Sequence, residues 1–245
     1  MASIAKALAL AAGLALIARP AAAAPIVDFA GHSWLVRTYP GGPGPNVWDS
    51  RNVFVDAEGL HLRIARTEGV WTAAEVFMLD APLGFGTYEF EIAGDLMALD
   101  TNAVLGLFTY PDDASLSLPG ANEIDIEFSQ WDDRLNPDRL NWNIHPAPPG
   151  VENMHYATPL GLTGSASTHR FTWTPQSIAF ASFEGYPETG LTPIADWTFA
   201  PDDPALEVPQ HPLVLHLNLW LVEGKPPLAG KPVEIVIRAF RFTPA

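Results

Sequence analysis

The chain of 245 residues contains no cysteine, so disulfides, thiolate nucleophiles, zinc–thiolate sites and iron–sulfur clusters are excluded. Positive charge is scarce as well: 13 Lys and Arg face 28 Asp and Glu, a formal net charge of −15. Phosphate binding needs a basic patch, and so few dispersed cations argue against nucleic acid and against an anionic membrane surface. No apolar run is long enough for a bilayer; the longest, residues 7–18, falls short of the roughly 20 residues a spanning helix requires. What remains is 48% hydrophobic and only 17% charged, too apolar for a disordered chain and long enough to bury a sizeable core. Its partner is expected to be neutral or cationic.

Residues 1–23 have the form of a secretory signal. Lys6 supplies the positive start, residues 7–18 the apolar segment, and Arg19-Pro20 a helix break before Ala21–Ala24. Cleavage is expected after Ala23. Loss of Lys6 and Arg19 would leave 11 cations against 28 anions, a net charge near −17. A secreted protein, periplasmic or extracellular, is the expectation, with residues 24–245 as one domain.

From residue 25 onward short apolar alternations are separated by Gly, Pro, Asn and Asp clusters. They recur at 60–64, 88–92, 104–110, 123–128, 140–145, 170–173, 214–221 and 233–242. Pro40–Pro45 must be loop, and Pro111–Asn122 is a second long connection. With 24 Pro and 19 Gly, no amphipathic helix is expected after the signal. The fold class that follows is all-β, one sandwich or jelly roll.

Three of these segments carry an unusual polar face. In 123–128, Ile124, Ile126 and Phe128 oppose Glu123, Asp125 and Glu127. In 140–145, Leu140, Trp142 and Ile144 oppose Asn141, Asn143 and His145. In 215–221, four leucines oppose His216, Asn218 and Trp220. Amides, imidazoles and an indole beside three acids are groups that would hydrogen-bond and stack on a polyhydroxylated ring. Phe108 and Tyr110 belong to the same groove or to the core; strand parity alone does not decide. His145 and His216, each taken singly, also fit a structural histidine satisfied by its neighbours.

Three acids at i, i+2 and i+4 on one face repel one another, and burial would favour their neutral forms. Glycosidases that use two carboxylates exploit such a conflict: one group is protonated as acid, the other ionised as nucleophile. On a straight strand the outer Cα atoms would be roughly 13 Å apart, whereas a retaining mechanism needs carboxyls about 5–5.5 Å apart. Only a curved sheet with converging side chains reconciles the two. An exposed strand, or a calcium site, gives the same bare pattern.

The segment NEIDIEF at 122–128 resembles the signature E-[ILV]-D-x-E of glycoside hydrolase family 16, in the unbulged form of its lichenase branch. GFGTYEFEI (84–92), LFTYPDD (107–113), LNWNIHP (140–146), HRFTWTPQSIAF (169–180) and LHLNLWL (215–221) resemble further segments of that family in order, covering residues 70–245. The resemblance implies a concanavalin A-like jelly roll of two antiparallel sheets with a glycan cleft on its concave face. It implies a retaining endo-β-glycosidase with Glu123 as nucleophile, Glu127 as acid/base and Asp125 tuning them. Glu75 falls at a substrate-contacting position, and Phe108, Tyr110, Asn141, Asn143, His145, Asn218 and Trp220 fall in the cleft. The partner implied is a polysaccharide, acted on by a monomer without cofactor.

Departures from the family pattern cluster around the substrate. Phe77 stands where lichenases carry Arg, Asn122 replaces Asp, Ala121 replaces Trp and His145 replaces a cleft Tyr. A polymer other than mixed-linkage β-glucan is therefore open. Arg238 takes the place of an Asp that helps hold structural calcium in lichenases, so no such calcium is expected. Two further activities compete with hydrolysis: transglycosylation, and glycan binding without catalysis.

Overall fold

Alternating apolar residues drive this chain into strands that pair face to face. The computed structural model describes residues 24–111, 120–147, 150 and 152–245. The expected signal and most of the Pro111–Asn122 connection lie outside the described residues. Among those described, the strands in chain order are β1 (Ile26–Phe29), β2 (His32–Val36), β3 (Val53–Val55), β4 (Leu60–Thr67), β5 (Val70–Thr72), β6 (Ala74–Met78), β7 (Gly86–Ala93) and β8 (Ala103–Tyr110). They continue with β9 (Glu123–Phe128), β10 (Leu140–His145), β11 (Met154–Thr158), β12 (Ala166–Trp173), β13 (Ile178–Glu184), β14 (Thr192–Phe199), β15 (Val214–Leu221) and β16 (Val233–Pro244).

Two antiparallel sheets result. One has the order β1-β2-β6-β15-β8-β9-β10-β11; the other runs β14-β13-β12-β7-β16-β4-β3, with β5 paired to β4. The three strands singled out by their polar faces have the bounds read from the sequence and lie in the first sheet, β15 and β9 on either side of β8.

The inner faces are packed with Trp34, Tyr88, Phe90, Phe128, Trp142, Phe171, Trp173 and Phe180, all fully buried. Tyr88 stacks on Phe171 at 4.5 Å and Phe90 on Phe240 at 5.2 Å. Three of their polar tips are satisfied: Trp34 Nε1 donates to the Phe29 carbonyl, Trp173 Nε1 to that of Pro209, and Tyr88 Oη to that of Gly84, whereas the buried Trp142 Nε1 finds no partner among the described residues. The leucines of β15 (215, 217, 219, 221) and Leu105 and Leu107 of β8 are buried in the same core. The opposite faces of those strands must therefore line the outer surface of the first sheet, as a period of two dictates.

Two features differ from the sequence expectation. A four-residue helix, α1 (Pro204–Glu207), forms with a proline in its first turn, where the missing N–H costs nothing. Strands β1, β11 and β14 are edge or near-edge strands that lack strong alternation; β14 contains Pro193, which an edge strand tolerates.

Candidate active site

Cross-strand register turns the polar faces into rows. The first row crosses the sheet as Glu75 on β6, Asn218 on β15, Gly106 on β8, Glu127 on β9, Asn141 on β10 and Ala157 on β11. Beside it run Phe77, His216, Phe108, Asp125, Asn143 and His155. Glu123 faces His145 one step further along. A glycan lying across the strands would thus meet one side chain from each strand in turn. Glu75, Phe108, Tyr110, Glu123, Asp125, Glu127, His145, Asn218 and Trp220 line a cleft of about 560 Å³. Phe108 and Tyr110 turn to the groove while Leu105 and Leu107 turn to the core.

The floor depends on Gly106. A Cβ there would stand 2.4 Å from Asn218 Oδ1, an atom that is buried and has no hydrogen-bond partner among the described residues. Glycine at this point lets Asn218 lie flat beside the acid strand.

The three acids do not behave as surface carboxylates. Asp125 is only 3% exposed, and burial, then the charge of Glu127, pushes its carboxyl well up. Burial, then Asp125, pushes Glu123 up to about 9. Burial, then the charge of Glu123, pushes Glu127 up to about 7. That Glu127 feels the charge of Glu123, four residues away on the strand, agrees with both lining one cleft. Glu127 Oε2 also accepts from Asn143 Nδ2 at 3.0 Å. Because the groups interact this strongly, their protons belong to the set.

His145 Nε2 lies 3.2 Å from Asp125 Oδ2, and its charge lowers both Glu123 and Glu127. Asp125 Oδ2 nevertheless has no hydrogen-bond partner, so this is an ion-pair distance without hydrogen-bond alignment.

Glu75 is buried, and both its oxygens are engaged. Oε2 accepts from Arg37 Nη1 at 2.7 Å, and Oε1 lies 3.1 Å from His216 Nδ1. The His216 ring is held between Phe77 at 5.4 Å and Phe108 at 5.0 Å. Arg37 Nη1 also donates to the Gly42 carbonyl, and its guanidinium lies 4.5 Å from the Trp48 ring centre. This one cation ties the loop containing Pro40–Pro45 to the wall of the cleft, where Tyr39, Gly42 and Pro43 are exposed to it.

Asn141 and Asn143 lie in a neighbouring recess of about 510 Å³ that shares Glu127 and His145 with the main cleft and adds Trp131 and His155. Arg37, Tyr39, Trp131 and His155 escaped the sequence reading. Arg37 is the first residue past β2, outside any periodic run, and Trp131 follows β9 in a turn. No short-range signal marks either one; only register across the sheet does. On the opposite sheet Arg238 pairs with Glu91 and Glu188. Among the described residues no group of three or more His, Cys, Asp or Glu is arranged to hold a metal ion.

Two antiparallel sheets with a row of acids along one strand of a cleft make a jelly-roll sandwich. Solved structures similar to it include β-glucanases, and the chain has the glycoside hydrolase family 16-like glucanase fold. The Bacillus licheniformis β-glucanase superposes with a TM-score of 0.64 at 22% identity, covering 91% of this chain and 97% of that one. A Bacteroides ovatus mixed-linkage glucan enzyme of the same family, seen with its product, gives 0.63 at 13% identity, over 86% and 94%. A protein described as an immunostimulatory antigen and pseudo β-1,3-glucanase of Mycobacterium tuberculosis gives 0.61 at 24% identity, over 86% and 91%. Identities this low establish the fold alone. No family model and no curated protein sequence matches the chain.

Proposed function

We propose that this protein is a secreted retaining endo-β-glycosidase acting on a β-glucan-type polysaccharide. The observation that carries the reading is the row of buried Asp125 between the part-buried Glu123 and Glu127, all three lining one cleft. Glu127 protonates the glycosidic oxygen while Glu123 attacks the anomeric carbon, forming a glycosyl-enzyme. Water then attacks that ester with Glu127 as base, restoring both groups. A carboxyl held near 7 suits a residue that must give and then take a proton close to neutral pH. Asp125, beside Glu123 on the same strand face, shares the cluster's protons and tunes both glutamates.

A second reading, glycan binding without catalysis, has one observation in its favour. Burial that holds Glu127 near 7 pushes Glu123 up to about 9, and a nucleophile must be ionised to attack. The two readings part in a digestion of a β-glucan and galactan panel by wild type and Glu123→Gln side by side. The hydrolase reading expects reducing ends from at least one polymer, and a loss of at least about a thousandfold in the variant. Glycan binding with no reducing ends from any polymer would establish the binder instead.

A further inference from the structure

Burying three acids together requires compensation, and among the described residues no Lys or Arg comes within ion-pair distance of Glu123, Asp125 or Glu127. The basic group that does is His145, 3.2 Å from Asp125 Oδ2 and directly opposite Glu123 in the β9–β10 register. Its side chain is 31% exposed, so it reaches from solvent to the buried acid. We propose that His145, in its imidazolium form, is the countercharge of the Glu123–Asp125–Glu127 cluster, a positioning residue that fixes the pH range in which the cluster holds its working number of protons. This inference rests on the glycosidase reading for its consequence in catalysis, though not for its electrostatics.

The sign is unambiguous. A cation beside acids favours their ionised forms, so every proton-loss step of the cluster falls at lower pH with the imidazolium present than without it. The titratable groups that share a cleft or recess with His145 are Glu123, Asp125 and Glu127 on β9, Tyr110 on β8, His155 on β11, Asp138 before β10, and Arg37, Tyr39, Glu75 and His216 across the main cleft. Among the described residues, the groups tied to His145 by contact or by charge are the β9 acids. His155 is engaged at 3.4 Å with Asn141 Oδ1 and forms no ion pair with the acids. A tyrosine at position 145, which the lichenase pattern would place there, could hydrogen-bond but could not carry this charge.

The test compares wild type with His145→Gln, which keeps a donor but loses the charge, and His145→Lys, which restores a charge. Carboxyl carbon NMR, with side-chain-labelled Glu and Asp, follows the cluster through a pH titration without any need for substrate. The Gln variant is expected to titrate the cluster higher by about one pH unit, with Lys returning it toward the wild-type value. On the polymer identified by digestion, the kcat/KM–pH profile should move upward in step. Superimposable titrations in wild type and His145→Gln, with both variants folded by thermal melting, would overturn the inference. A shifted titration in a protein that cleaves nothing would leave it standing and remove the glycosidase reading, so the two failures are separable.

Discussion

Each carboxyl of the Glu123–Asp125–Glu127 row is in conflict with its surroundings, and the conflict has a measurable cost. An acid whose native pKa is raised binds its proton more tightly folded than unfolded. Folding therefore loses stability as pH rises from the ordinary carboxylate range, near 4.5, toward the native value. For Glu127 that window ends near 7, and for Glu123 near 9. Replacing Glu123 by Gln removes the group with the wider window and relieves its neighbours. The variant is expected to be more stable at pH 8 by about 0.5–2 kcal/mol. Its melting temperature should also fall less steeply between pH 5 and 9, to be read by calorimetry across that range. Equal slopes in the two proteins would mean that Glu123 is not buried in its charged form at a cost. His169 imposes the opposite limit. Held neutral between the hydroxyls of Ser167 and Ser182, it is pushed down to about 3 by burial. Its contribution to stability is thus lost as pH falls below 6.5.

Among the elements, β8 and β15 carry the floor on which a substrate would rest. The Gly106→Ala methyl would strike Asn218 Oδ1, so Asn218 must rotate away from the strand between it and Glu127. Overpacking of this kind costs about 1–3 kcal/mol. The expected kinetic signature is a KM raised several-fold with a smaller change in kcat, measured on the cleaved polymer. An unchanged KM would remove Asn218 from the binding surface.

The same elements explain what the sequence made legible. β9, β10 and β15 each bury one face in the inter-sheet core and present polar groups on the other, so a period of two discloses both bounds and facing. β14 is largely exposed on both faces and β11 sits at the sheet's edge, so neither has an apolar face strong enough to announce it. Glu75 was visible through the family resemblance, yet its partners were not. Arg37 and His216 reach it from 38 and 141 residues away, and such a junction exists only once β2, β6 and β15 are aligned.

At the scale of the whole molecule, charge is sorted by place. Arg37, Arg51, Arg63, Arg170, Lys225, Arg238 and Arg241 each pair with a carboxylate. Arg37, the cation on the cleft wall, is already committed to Glu75. A polyanionic chain entering the cleft would therefore face acids without free cations, whereas a neutral polysaccharide meets aromatic faces and amides. The retaining mechanism proposed for that cleft stands or falls on a covalent bond to one residue. The most direct measurement is mass spectrometry of the protein after incubation with a 2-deoxy-2-fluoro glycoside of the sugar whose polymer it cleaves. The account predicts one added glycosyl unit, localised by peptide mapping to Glu123 and missing in Glu123→Gln. Hydrolysis that proceeds with no adduct, or with an adduct on another residue, would contradict it.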